Sequence, residues 1–153
     1  MGCQDINPIH QEGKTMALGG LILDETVAMT GGVRVLPNDE PGTKVEICTQ
    51  GVGTIRGVAE TSMYTYTQLQ RPDGSSYGEG RGSITTKDGD VIGVTASGAG
   101  KAPASGGAIK FRTMVHVQSA PAKYADLQGI GLAGEYDVHP DGGATHKCGS
   151  GSR

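Results

Sequence analysis

Residues 71–90 read RPDGSSYGEGRGSITTKDGD. Two turn signals, Pro72-Asp73-Gly74 and Lys87-Asp88-Gly89, bracket a stretch in which small or apolar residues alternate with polar ones. In an extended chain successive side chains point to opposite faces. Gly78, Gly80 and Gly82 therefore share one face, and Tyr77, Glu79, Arg81 and Ser83 share the other. A strand face without side chains has two uses. It lets the strand coil tightly, or it lets a bulky neighbour cross over it. Both uses point to a small, strongly curved antiparallel sheet.

The rest of the chain agrees. Gly supplies 27 of the 153 residues, Phe one and Trp none. No three-residue glycine period marks a collagen, and interleaved Val, Ile, Tyr and Thr argue against disorder and for many short strands. A net charge of −3 gives no basic footprint for nucleic acid. No apolar run approaches the ~20 residues of a membrane-spanning helix. The opening MGCQDINPIHQEGK lacks the apolar core of a secretory signal, and Ile6 stands where a myristoylation signal needs Ser or Thr. The expected location is the cytoplasm; a leader already removed from the chain is the alternative. The three cysteines do not make a disulfide framework. Cys48 reads as a buried free thiol in an alternating strand. Cys3 and Cys148 lie near the two ends and have the option of pairing in an oxidising setting, but reduced and unpaired is the preferred reading.

Strand patterns run over 21–36 (with a Gly31-Gly32 break), 43–56, 58–70, 75–86, 90–99, 108–118, 130–138 and 144–148. The clearest alternation is AIKFRTMVHVQ, 108–118. Ile109, Phe111, Val115 and Val117 take one parity, Lys110, Arg112, His116 and Gln118 the other. SAPAKYADLQG carries the one helix signal, with Ser119 as cap, Pro121 in the first turn and Gly129 as stop. The expected fold is all-β: a small antiparallel β-barrel of about eight strands with one short helix, occupying 21–148. Residues 1–20 read as a flexible N-terminal arm and 149–153 as a flexible tail.

RPDGSSYGEGRGSITTKDGD, followed by VTASGAGK, GGAIKFRT, SAPAKYADLQGI and GEYDV, resembles a group of uncharacterised prokaryotic proteins with an allene oxide cyclase-like barrel. The resemblance spans residues 33–147 in order. It implies an eight-stranded barrel with a cavity for a small apolar or amphipathic molecule, homo-oligomers, and chemistry that positions a reactive intermediate without a cofactor. It carries no catalytic residue over to a position of this chain, and fold by itself does not license function.

Several motifs fail on context. GIGLAG, 129–134, spells a dinucleotide fingerprint but follows a helix and opens a strand, the reverse of the required order. In ASGAGK, Thr95 and Ala102 replace the first glycine and the magnesium-binding hydroxyl of a phosphate loop. His139, His146 and Cys148 are the one metal-like grouping, but without a supporting ligand frame they read as surface or terminal residues, and no metal is expected. A Cys48–His116 pair requires both side chains to point inward. What remains is polar residues within strands: Glu60, Tyr64, Tyr66, Glu79, Arg81, Arg112, His116 and Glu135. If Tyr64, Tyr66 and Glu79 face the interior with Arg112 or His116, they make a polar patch in an apolar pocket. Tyr then binds or stacks on a ligand, and a buried Glu acts as acid or base. The competing reading puts these side chains on the solvent face, and the parity of 108–118 favours it for Arg112 and His116. The leading functional expectation is a small-molecule-binding barrel, as an isomerase or cyclase. The alternative is a non-catalytic, self-assembling module with a filled interior that uses residues 1–20 for subunit contacts.

Overall fold

The computed structural model describes residues 19–151. The strands are β1 (Leu21–Met29), β2 (Arg34–Leu36), β3 (Thr43–Ile55), β4 (Val58–Gln70), β5 (Ser75–Thr86), β6 (Val91–Lys101), β7 (Ile109–Ser119), β8 (Gly131–Val138) and β9 (Ala144–Gly149). Every neighbouring pair is antiparallel. β1 pairs with both β9 and β3, which closes an eight-stranded barrel. The break expected at Gly31-Gly32 divides the segment 21–36 into β1 and β2. The halves follow one another along the same edge of β3, β1 against Thr49–Ile55 and β2 against residues 44–46. Most of the arm expected over 1–20, together with Cys3, lies outside the described residues, as does the last part of the tail.

Local chemistry sets the turns. Arg56 and Gly57 both have positive φ, 48° and 76°, the backbone of a tight two-residue hairpin between β3 and β4. Asp73 accepts the backbone N–H and the hydroxyl of Ser75, fixing the β4–β5 turn. The expected helix is a 3₁₀ segment, Ala122–Leu127, not an α-helix. Its six residues follow Pro121 and close with the i→i+3 bonds Tyr124 N to Pro121 O and Gln128 N to Ala125 O. Ser119 ends β7 and does not cap it, for no side-chain cap bond is made.

This segment plugs one end of the barrel. Tyr124 and Leu127 are buried against Leu23, Ile55, Ile84, Ile92, Val94, Val115, Val117, Leu132 and Cys148. Arg56 pairs with both carboxylate oxygens of Asp126, and Lys123 Nζ lies 2.7 Å from Asp90 Oδ2. Exposed pairs of this kind contribute little to stability, so buried apolar area does most to hold the plug. Outward positions are largely polar, among them Thr61, Thr65, Glu79, Arg81, Arg112, His116 and Lys147. A lipid-facing barrel requires the reverse, an apolar exterior around a polar lumen. Among the described residues no helix is long and apolar enough to cross a membrane.

Candidate active site

Alternation decides what the interior contains. Inward positions are odd in β1, β3 and β7 and even in β4, β5, β6, β8 and β9, as burial shows. The glycine ladder of β5 therefore faces inward, where the β4 tyrosines cross over it. A Cβ on Gly82 would run into the Tyr64 ring, and one on Gly80 into Tyr66. The same parity places Tyr64, Tyr66, Glu60 and Ser62 inside, together with Glu25, Tyr136, His146 and Cys148.

Glu25 is the centre of the buried polar layer, with 2% of its surface exposed. Tyr64 donates its hydroxyl hydrogen to the carboxyl group, with the oxygen 2.9 Å from each of Oε1 and Oε2. On the other side His146 Nδ1 is 3.6 Å from Glu25 Oε2. His146 Nε2 lies 3.1 Å from Thr113 Oγ1 and 3.2 Å from Cys148 Sγ. Gly134 makes room for this cluster, since a Cβ there would collide with Thr113, Cys148 and His146. Burial, then the charge of Glu25, pushes the Cys148 thiol up to about 12, so it stays protonated and is a donor rather than a nucleophile. The same two causes hold the Tyr64 hydroxyl well above its ordinary value. Glu60 is buried, and neither of its oxygens has a hydrogen-bond partner. Burial first, and the Glu25 charge second, raise its carboxyl group to about 8.

Tyr64→Phe should cost about 1–3 kcal/mol, because it leaves a buried carboxyl group without its hydroxyl donor. Urea unfolding checks this. Made on top of Glu25→Gln, the same change should cost clearly less, since the two groups share one interaction.

Above this layer, away from the plug, is a cavity of about 100 Å³. Its walls include Tyr66, Ala96, Phe111, Val115 and Tyr136, with Gly78, Gly80 and Gly98 supplying space instead of side chains. Tyr64, Thr113 and His146 also line it. Thr49 does as well, and its buried hydroxyl has no protein partner. Partial exposure of Tyr66, Gln68 and Tyr136 places the mouth at this end. The Tyr136 ring packs edge-on against His146, with centroids 5.3 Å apart. Burial raises both the Tyr66 and Tyr136 phenols, so both remain hydrogen-bond donors at neutral pH.

Of the five residues expected in the pocket, the structure brings Tyr64 and Tyr66 together inside. Glu79, Arg112 and His116 occupy the opposite parity of β5 and β7 and are exposed; of the three, Glu79 still contributes to the cavity wall, between Gly78 and Gly80, while Arg112 and His116 do not. Glu79 and His116 flank an outer groove of about 610 Å³ that also includes Thr65, Arg81 and Thr95. Arg112 lies apart, 3.9 Å from Glu135 and 3.8 Å from Asp137. Cys48 is exposed beside Thr65 and not buried, so it makes no inward pair with His116. His146 and Cys148 are interior residues and not terminal ones, because β9 is an integral stave between β8 and β1. Among the described residues, no group of three or more His, Cys, Asp or Glu side chains is placed to hold a metal ion.

Glu25, Thr113 and Tyr136 escaped the sequence reading, and His146 entered it only in the metal-like grouping, as a surface or terminal residue. For Glu25 a signal was present: it sits on the apolar parity of β1, between Leu23 and Val27. A charged residue on the buried parity of a strand is costly, and that marks it for attention.

No protein-family model matches the chain, and no curated protein matches it in sequence. Solved structures do match. A conserved protein of unknown function from Rhodopseudomonas palustris superposes with a TM-score of 0.71 at 18% identity, over 84% of this chain and 93% of that one. A protein with unknown function from Clostridium acetobutylicum ATCC 824 gives 0.69 at 16% identity, over 84% and 95%. A beta-barrel like protein from Acinetobacter baumannii AYE gives 0.68 at 15%, over 84% and 93%. At these identities the likeness establishes a shared barrel fold and nothing finer.

Proposed function

We propose that this barrel binds a small molecule in its open half. We take it to be a cofactor-independent isomerase or cyclase, the chemistry that its resemblance to allene oxide cyclase-like barrels implies. The observation that carries the reading is the interior cavity itself, walled by Tyr66, Ala96, Phe111, Val115 and Tyr136 over a polar floor. A filled interior would favour the assembly module instead. A cavity of about 100 Å³ is several times the room a water needs and somewhat less than the roughly 150 Å³ apolar cavity that takes benzene. The enclosed space then takes about four non-hydrogen atoms, a very small molecule or one end of a longer one that reaches the mouth. Apolar walls with a few convergent polar groups are the usual make-up of such sites.

The test is ligand-observed NMR with a panel of small neutral aromatics and ketones, run on the wild type and on Ala96→Leu, which fills the cavity from β6. Wild-type protein should bind members of the panel and the folded variant should not. Equal binding by both, or binding by neither, would contradict the pocket.

A further inference from the structure

We infer that His146, positioned by Glu25, is a general acid–base group at the floor of the cavity, and that the substrate is a small enolisable carbonyl compound isomerised by proton transfer. This rests on the pocket reading above. The ring has two distinct sides. Nδ1 lies 3.6 Å from the buried carboxyl group of Glu25, longer than a hydrogen bond but close enough for the carboxylate charge to favour the proton on Nδ1. Nε2 then presents its lone pair to the Thr113 hydroxyl, 3.1 Å away, and to the Cys148 thiol at 3.2 Å. His146 and Thr113 both line the cavity, and Cys148 does not.

A base, an orienting carboxyl group and phenolic donors on one apolar cavity are the parts that proton abstraction beside a carbonyl needs. Nε2 takes a proton from the carbon next to the carbonyl, directly or through the Thr113 hydroxyl. The C–H electron pair forms the new C=C bond, and the carbonyl π pair moves onto oxygen. Tyr66 or Tyr136 hydrogen-bonds that oxygen as its charge grows. Where the substrate carries a C=C bond one carbon further on, the oxygen pair re-forms the carbonyl, the enolate C=C pair shifts to the next C–C bond, and the displaced π pair takes the proton back from His146 at the far carbon, so atoms and electrons balance without an oxidant or cofactor. Attack by Thr113 itself fits less well. It sits mid-strand in β7, paired with Gly98 on one side and Gly134 on the other, so its neighbourhood offers no free backbone N–H groups for a tetrahedral oxyanion.

Glu25 is a positioning residue, and ¹⁵N NMR of His146 reads its effect. The wild-type ring should be the Nδ1–H tautomer, and Glu25→Gln should shift that balance. A wild-type ring protonated on Nε2 would overturn the assignment whatever the variants do. The activity test follows α-proton exchange of cyclopentanone in D₂O. The protein should accelerate exchange over an equal concentration of imidazole. His146→Gln should lose roughly a hundredfold, Thr113→Val should slow any relayed transfer, and Tyr66→Phe or Tyr136→Phe should lose about tenfold or more. If cyclopentanone shifts the Tyr66, Phe111 and Tyr136 ring signals but exchange is no faster than with His146→Gln, the acid–base role is wrong and the pocket stands. If it shifts none of them, the pocket reading fails, and this inference fails with it.

Discussion

Gly80→Ala should destabilise the barrel by about 3 kcal/mol or more, at the upper end of what overpacking costs. A Cβ at this position lies 2.5 Å from Tyr66 Cβ and 2.6 Å from Tyr66 Cα, and closer still to the carbonyl oxygen of Thr65. Two of those three atoms are backbone of the neighbouring strand, so no rotamer change relieves the clash. Gly53→Ala should behave the same way, because its Cβ meets the Asp24 carbonyl and the Glu25 Cα. Gly32 is the control. A Cβ there meets nothing within 4 Å, and alanine should be neutral or stabilise by up to about 1 kcal/mol. Urea midpoints of the three variants decide it. Equal midpoints for Gly80→Ala and Gly32→Ala would mean that β4 does not lie across β5 as described.

The second large effect is a stability that falls with pH. The Glu60 carboxyl group ionises at about 8 when folded, against an ordinary 4.5. Between those values the folded state holds a proton that the unfolded chain has released. Stability from this group is therefore fully present below about 4.5, declines as pH rises, and is gone above about 8. One proton corresponds to about 1.4 kcal/mol per pH unit, so the total fall is on the order of several kcal/mol. Glu60→Gln keeps the shape and removes the titration. Its stability relative to wild type should rise steadily between pH 5 and pH 8 and level off above. Parallel stability curves for the two proteins across that window would show that Glu60 is not buried beside Glu25.

Much of the fold was legible in the chain, because turn chemistry and period-two patterning act locally. Pro72-Asp73-Gly74, Gly57 and Lys87-Asp88-Gly89 all fall at hairpins, and the strand expected over 58–70 matches β4 residue for residue. The 3₁₀ plug was legible as a helix signal but not as a plug, since its anchors Arg56 and Asp126 lie 70 residues apart. The site was harder to read. Parity separates two faces of a strand but does not say which is inside. In β5 the inward face carries glycines, so hydrophobicity misleads there. The clue lay across the barrel, where the missing β5 side chains are matched by Tyr64 and Tyr66 of β4. Glu25 and His146 come together because β1 and β9 close the barrel, a pairing of the two ends of the domain that no local pattern announces.

The barrel interior is open above its polar layer. A crystal of the protein under xenon pressure tests this most directly, because xenon enters apolar space without needing a matched ligand. A xenon site bounded by Tyr66, Phe111, Val115 and Tyr136 is expected, absent from Ala96→Leu crystals. An interior without xenon, packed by side chains from Val45 to Phe111, would contradict the pocket and return the barrel to a structural role.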